Sequence, residues 1–217
     1  MSPAAMRKRL VIAVDGPAAS GKGTLARRLA AHYGLPYLDT GLLYRMVARA
    51  MRDAGKDMHD AEAAAAIVST FDEKAFAEDS LRGREIGEAA SVVAAMPAVR
   101  KGLIDRQRRF AGQPGGAVLD GRDIGTVICP EAPVKLFVTA TPEVRAARRH
   151  KELAGRGELA TLDGILADIK RRDARDSGRS DAPLKAAEDA DILDTSALTV
   201  EEAVAAAIAI VDAHRAG

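Results

Sequence analysis

Short apolar runs alternate with amphipathic segments along the chain. The first run, residues 10–14 (LVIAV), is apolar at every position and predicts a strand buried on both faces. Residues 21–32 then show helical periodicity, with Leu25 and Leu29 four positions apart, and the predicted helix ends before Gly34. Further strands are predicted at residues 36–38, 117–119, 134–138 and 192–193, and further helices at residues 41–54, from Thr141 and from Thr199.

This alternation predicts an α/β fold with a parallel five-stranded sheet flanked by helices. Two segments interrupt it. Residues 57–95 are rich in alanine and charge and are predicted to be helical, with a break near Arg82-Gly83. Residues 151–161 are polar and include Gly155, Arg156 and Gly157, a composition typical of a flexible loop. Both segments are predicted to be insertions on one core.

Composition and charge restrict the possible partners. The chain has 217 residues, 47% of them hydrophobic, which excludes a disordered class. Its formal net charge of +1 gives no general attraction to nucleic acid. Aromatic residues make up 3% and tryptophan is absent, so a surface that stacks bases is not expected. The single cysteine, Cys129, cannot form an internal disulfide, and we expect it to be a packing residue.

The beginning of the chain is basic, but the apolar run behind it stops at Asp15 and is too short for a signal peptide. No apolar run approaches the roughly 18 residues that span a bilayer. We therefore expect a soluble, cytoplasmic protein with no membrane partner. Whether translation begins at Met1 or Met6 stays open.

The strongest local motif is a glycine-rich loop between the first strand and the first helix. Its glycines allow a tight turn whose N–H groups face a phosphate, and Lys22 adds a full positive charge. The alternative, an ordinary turn capped by Ser20 or Thr24, does not explain the lysine. The predicted ATP-binding residues are Gly16, Pro17, Ala18, Ala19, Ser20, Gly21, Lys22, Gly23 and Thr24. The hydroxyl that often binds magnesium directly after the lysine is displaced here to Thr24.

Three further clusters, at residues 38–45, 119–126 and 170–179, combine aspartate with arginine. Each has a purely structural interpretation. Thr40 could cap a helix, the arginines of 45–52 could form a solvated face, and Arg172 could form surface ion pairs at i±4 spacing. Because strand ends of a parallel sheet face one crevice, however, the clusters together predict several arginines around one phosphate site.

The motifs DGPAASGKGT, LDTGLLYR, EAASVVAAMPAVR, LDGRDIGT and IKRRDARDSGR, in this order, resemble those of bacterial cytidylate kinases among the nucleoside monophosphate kinases. The resemblance implies a P-loop NTPase-type fold in one domain, residues 1–217. Its parts would be a core at about 10–56, 97–147 and 162–217, a monophosphate-binding insert at about 57–96 and a short lid at about 148–161. Residues 71–84 lack the alternation for the small sheet that family members often carry, so a reduced, mostly helical insert is expected, and no role is assigned to Arg82.

The resemblance also implies roles for individual residues. Those expected to bind CMP are Thr40, Ser91, Arg100 and Asp123 around the base, Arg172 and Asp176 at the sugar, and Arg45, Arg122 and Arg179 at the phosphate. Those expected to be catalytic are Lys22, Arg122, Arg172 and Arg179, with Arg148, Arg149 or Arg156 from the lid. Mg²⁺ is expected near Thr24, Asp39 and Asp120, through water.

The expected reaction is phosphoryl transfer from ATP to CMP or dCMP. The chemistry of the residues agrees, because Asp123 can accept from the cytosine amino group and Arg100 can donate to its acceptors. Alternatives are a kinase for UMP, AMP, dTMP, shikimate or pantothenate, or a non-catalytic nucleotide- or RNA-binding module. The preference among CMP, dCMP and UMP is not fixed by these motifs. A monomer is expected because no exposed apolar stripe stands out.

Overall fold

A parallel sheet of five strands forms the centre of the protein, as the sequence predicts. The computed structural model describes residues 9–216 except residues 71, 73–75 and 82. All four strand pairings are parallel and the strand order is β2-β3-β1-β4-β5. The strands are β1 (Leu10–Asp15), β2 (Tyr37–Asp39), β3 (Gly116–Gly121), β4 (Val134–Thr139) and β5 (Asp191–Asp194).

The continuous apolar run of β1 is explained by its central place in the sheet. Ile12 pairs with Val118 of β3 and with Val134 of β4. The side chains of Ile12 and Val14 pack in a core beneath two helices, whereas those of Val11 and Ala13 pack in a second core on the opposite face. A strand covered on both faces cannot alternate with polar residues.

Eight helices surround the sheet in the part of the chain that the structure describes. They are α1 (Lys22–Tyr33), α2 (Thr40–Asp53), α3 (Ala61–Thr70), α4 (Arg84–Val93), α5 (Pro97–Ala111), α6 (Pro142–Gly155), α7 (Leu162–Ser177) and α8 (Val200–Ala216). Local sequence explains several ends. The hydroxyl of Thr141 accepts the N–H of Val144 at 3.4 Å at the start of α6. Thr199 and Glu202 form a reciprocal capping box before α8, with bonds of 2.9 and 3.2 Å.

The first insertion is helical, as expected. It contains α3, a 3₁₀ turn at Glu78–Leu81 and α4. These elements pack with α2 and α5 around a third core that includes Leu43, Met51, Val93 and Leu103. Arg82 lies outside the described residues, and so does Met6.

The second interruption is more helical than its composition predicts. Helix α6 continues through Gly155, so only residues 156–161 connect it to α7. The first half of the predicted lid, including Arg148 and Arg149, is therefore part of a regular helix. Among the residues with described positions, no helix combines the length and the apolar character needed to cross a bilayer.

Candidate active site

The carboxyl ends of the strands open into one cleft of about 1460 Å³. The glycine-rich loop leaves β1 on one side, and the loop after β3 and the start of α2 form the floor. Helix α6 lies beside the phosphate loop, and α4 and α7 contribute further lining residues. Strand register places Asp39 of β2 directly beside Asp120 of β3. The three aspartate–arginine clusters of the sequence thus meet at one edge of the sheet, where ligands of such folds bind.

The glycine-rich loop has the backbone of a phosphate cradle. Residues 16–21 connect β1 to α1, and Lys22, Gly23 and Thr24 form the first turn of α1. Gly16 has a φ of 149°, and a Cβ atom there would lie 2.0 Å from the carbonyl oxygen of Val138. No side chain caps α1, which argues against a turn capped by Ser20 or Thr24. The N–H groups at this helix start are available to an anion.

Lys22 is crowded by other charges. Its half-buried ammonium lies 3.4 Å from the carbonyl oxygen of Pro17. Burial, with repulsion from Arg122, lowers the pKa of Lys22 to about 7, and Asp120 opposes this shift. A bound polyphosphate would add negative charge beside the ammonium and restore its protonated form.

We therefore expect ATP binding to take up protons at pH 8.0. Lys22, with a pKa of about 7 in the free protein, is mostly neutral at this pH, and the polyphosphate raises that pKa. Calorimetric titration with ATP in buffers of different ionisation enthalpy should give an uptake of roughly one proton. The Lys22→Arg variant keeps a charge that does not titrate and should lose this uptake. Equal uptake by the two proteins would contradict the assignment.

Two carboxylates face Lys22 at the strand ends. Asp120 is buried, and burial together with repulsion from Asp39 raises its pKa to about 6. The hydroxyl of Tyr37 donates to Asp120 Oδ1 at 2.6 Å. Two crowded carboxylates beside a phosphate cradle fit a hydrated divalent cation, which would relieve their repulsion. The described residues contain no cluster of three or more acidic, histidine or cysteine side chains able to enclose a metal.

Thr40 and Thr24, two further predicted site residues, differ in exposure. Thr40 is buried and does not cap α2: its hydroxyl donates to the carbonyl oxygen of Asp120 at 2.8 Å. Thr24 is exposed and lines the cleft.

Three arginines surround a single buried carboxylate. Asp176 of α7 is 1% exposed and bonds to Arg122 Nε at 2.8 Å and to Arg179, with Arg172 Nε at 3.9 Å. Burial opposes the ionisation of Asp176, but these guanidinium groups together hold its pKa below the usual range. Burial and the neighbouring Arg122 also lower the pKa of Arg172 to about 9. The cluster therefore carries excess positive charge that a phosphate would neutralise.

A buried ion pair lies next to this arginine cluster, close to Arg179. Arg100 of α5 is 1% exposed and bonds to Asp123, which follows β3. Arg100 Nε also lies 3.4 Å from Asp181. The buried charge of Arg100 is compensated in this way, while Asp123 keeps further acceptor positions.

Arg45 and Ser91 stand beside these groups and already have partners in the protein. Arg45 lines the cleft and donates to the carbonyl oxygen of Leu81 at 2.7 Å. Ser91 accepts a hydrogen bond of 2.8 Å from Arg175, which also pairs with Glu88 at 2.6 Å. By contrast, Arg49 pairs with Asp53 at 2.8 Å on an exposed helix face, as the structural interpretation of these arginines predicts.

The three candidate lid arginines do not converge. Arg148 donates to Thr195 Oγ1 at 2.9 Å and to the carbonyl oxygen of Ser20 at 3.3 Å, so it fastens the phosphate loop to the segment after β5. Arg149 pairs with Glu152 at 2.7 Å, and Arg156 lies 3.9 Å from Glu158.

Sequence reasoning missed Arg145, which links three parts of the site. Its buried guanidinium donates to the carbonyl oxygens of Ala140 at 2.9 Å and of Ala18 in the phosphate loop at 3.3 Å. It also forms a two-point contact with Asp173 of α7 at 3.0 and 2.6 Å. The only sequence signal was its place in the basic run of α6, which Arg148 and Arg149 share.

A phosphate loop that faces an arginine cluster across the end of an all-parallel sheet defines a P-loop kinase, an enzyme that transfers a phosphoryl group to a small acceptor. Solved structures share the fold. A gluconokinase from Sinorhizobium meliloti aligns with a TM-score of 0.52 at 16% identity, over 95% of this chain and 94% of its own. A shikimate kinase from Bacteroides thetaiotaomicron aligns with a TM-score of 0.50 at 12% identity, over 94% and 98%.

Sequence comparison identifies the family within this class. The family described as cytidylate kinase matches residues 12–213. The cytidylate kinase of Xanthobacter autotrophicus is 62% identical over 208 residues, which cover 96% of this chain and 100% of that protein. The cytidylate kinase of Methylocella silvestris is 61% identical over 212 residues, 96% and 98% of the two chains. This chain belongs to the cytidylate kinase family.

Proposed function

We propose that this protein transfers the γ-phosphoryl group of ATP to CMP or dCMP, giving CDP or dCDP and ADP. The observation that carries the proposal is the buried Arg100–Asp123 pair next to the arginines around Asp176. These groups come from the loop after β3, from α5 and from α7, and Arg122 and Arg172 among them line the cleft. The family membership supports the same acceptor.

The ion pair suits cytosine in particular. The Asp123 carboxylate accepts from the exocyclic amino group, and Arg100 donates to the ring nitrogen and the carbonyl oxygen. Uracil presents a carbonyl and a ring N–H where cytosine presents the amino group and the acceptor nitrogen. UMP would therefore leave buried polar groups unpaired, which is the strongest form of selectivity between similar substrates.

The acceptor phosphate is held by arginine in this proposal. Arg45, Arg122 and Arg179 bind its oxygens, while Arg172 and Asp176 contact the sugar. Lys22 and the loop N–H groups hold the donor phosphates. The nucleophile is a CMP phosphate oxygen that is already ionised at neutral pH, so positioning and charge neutralisation supply the catalysis and no general base is needed.

Mg²⁺ is proposed to accompany ATP. Asp39, Asp120 and Thr24 would hold its water shell, and the ion would neutralise charge on the donor phosphates. The residues fit this role because the two carboxylates repel one another and face Lys22.

Tyr37→Phe is expected to weaken divalent-cation binding by less than about tenfold, because the hydroxyl orients Asp120, which contacts the ion through water, and about tenfold is the smallest effect typical of a partner of a direct ligand. The measurement is Mn²⁺ binding to the ADP complex by electron paramagnetic resonance at pH 8.0. Tyr33→Phe is the matched control, because Tyr33 donates to Asp212 at 2.9 Å on an exposed face. Equal Mn²⁺ affinities of the two variants would contradict a role for Tyr37.

A panel of acceptors tests the proposed function. ADP release from ATP and Mg²⁺ is measured with CMP, dCMP, UMP, AMP and dTMP and without acceptor. Turnover with CMP and dCMP far above the others is expected. Faster turnover with AMP or dTMP would still identify a phosphotransferase but would contradict the proposed acceptor pocket. Intact ATP with every acceptor would favour a non-catalytic binding module.

A further inference from the structure

Asp15 is a buried acid at the end of β1, directly before the phosphate loop, and none of the steps above uses it. Its side chain points to the loop after β3. Oδ1 accepts the N–H of Ile124 and Oδ2 accepts the N–H of Gly125, both at 2.8 Å. A buried carboxylate is costly unless its oxygens are hydrogen-bonded, and these two backbone donors compensate it. Asp15 thus ties the end of β1 to the loop after β3, at Ile124, which lies 109 residues further along the chain.

The same loop is held tightly from its other side. A Cβ atom on Gly125 would lie 3.1 Å from Cδ of Lys135 on β4 and 3.5 Å from Oδ2 of Asp15. Lys135 is itself fixed by Asp189 at 2.7 Å. Gly125 therefore packs between the Lys135 side chain and Asp15, and the absence of a Cβ atom permits this close approach.

The loop carries two groups that the proposed function assigns to the acceptor. Arg122 and Asp123 directly precede Ile124, and Asp123 is the first residue before the single π-helical turn Ile124–Ile128. Arg122 reaches Asp176, and Asp123 reaches Arg100. A shift of the loop by a fraction of an ångström would move both groups relative to the acceptor while leaving the phosphate-loop backbone in place.

We propose that Asp15 is a positioning residue for the acceptor: by binding the N–H groups of Ile124 and Gly125 it sets Arg122 and Asp123 against the base and phosphate of the nucleoside monophosphate. The proposal rests on the proposed function, since it takes the acceptor to be bound by these two residues. In this proposal Asp15 contributes to the selection and alignment of the acceptor, and ATP binding depends little on Asp15.

The test compares steady-state kinetics of Asp15→Asn and Asp15→Leu with the natural protein at pH 8.0. Burial raises the pKa of Asp15 to about 7, against its backbone hydrogen bonds, so the carboxylate is ionised at this pH. Asn keeps one acceptor oxygen, and Leu has a similar size and none. We expect kcat/KM for CMP to fall about tenfold in Asp15→Asn and about 10²-fold in Asp15→Leu, with KM for ATP within about twofold of the natural value.

The matched control is Val211→Ala, which removes buried volume from the core beside α8, away from the cleft. It lowers the melting temperature but should leave the ratio of CMP to UMP turnover unchanged, whereas both Asp15 variants should lower that ratio. If Asp15→Leu fails to fold, the kinetics of Asp15→Asn alone test the proposal. The proposal is overturned if KM for ATP rises as much as KM for CMP, or if CMP kinetics do not change. Absence of CMP turnover in the natural protein would instead overturn the proposed function.

Discussion

Replacement of Arg122 by Ala is expected to lower kcat with CMP about 10³-fold, the scale seen when an arginine that neutralises a transferring phosphoryl group is removed. Arg122 follows β3, lies close enough to Lys22 to lower its pKa, and bonds to Asp176. Arg122 therefore lies near both Lys22 and Asp176, as Arg172 does, and it is the one of the two with a hydrogen bond to Asp176. Asp176 keeps Arg172 and Arg179 as partners, so the fold should persist.

Arg171→Ala is the control for this prediction. Arg171 lies on α7 beside Arg172, but its side chain is 61% exposed, against 15% for Arg122, and it pairs with Asp168. We expect kcat of this variant to stay within about twofold of the natural protein, as for most exposed ion pairs. A loss of less than tenfold in Arg122→Ala, with normal thermal stability, would remove Arg122 from the catalytic group.

Asp123→Asn should have its largest effect on base selection. The carboxamide has the shape of the carboxylate, but it keeps only one acceptor oxygen and offers an N–H₂ group that opposes the amino group of cytosine. We expect kcat/KM for CMP to fall about 10³-fold and that for UMP less than about tenfold, so that the two substrates approach equality. Parallel kinetics with both nucleotides measure this ratio.

A second aspartate on the same arginine supplies the matched control. Asp181 lies 3.4 Å from Arg100 but is 54% exposed, so Asp181→Asn should change the CMP-to-UMP ratio little. Thermal denaturation of both variants separates selectivity from stability, because Asp123→Asn also removes the buried partner of Arg100. Unchanged selectivity in a folded Asp123→Asn protein would exclude Asp123 as the reader of the base.

Local patterns are sufficient to predict the scaffold of the site. The run LVIAV predicts β1, because a central parallel strand is buried on both faces. Gly16 predicts a tight turn, and in the structure a Cβ atom at this position would collide with the carbonyl oxygen of Val138. Two of the aspartate–arginine clusters meet because β2 and β3 end side by side, and the third, on α7, joins them through the bond between Asp176 and Arg122. The prediction of a flexible loop over residues 151–161 was less accurate, since glycine and charge suggested a loop where α6 continues to Gly155.

The contacts that fix the site could not be predicted from local sequence. Tyr37 and Asp120 are 83 residues apart, and Arg145 reaches both Ala18 and Asp173. Such pairs depend on strand register and helix orientation, which no short window contains. The contacts of Arg148 with Thr195 and the phosphate-loop backbone likewise join distant parts of the chain.

CMP is proposed to bind between the Arg100–Asp123 pair and the phosphate loop. A crystal structure with CMP and a non-hydrolysable ATP analogue would show this arrangement. We expect the cytosine amino group within hydrogen-bond distance of Asp123, about 3 Å, and the CMP phosphate between Arg122 and Arg179. We also expect the triphosphate on the N–H groups of residues 16–22. Cytosine bound away from Asp123, or a CMP phosphate that none of these arginines contacts, would contradict the proposal.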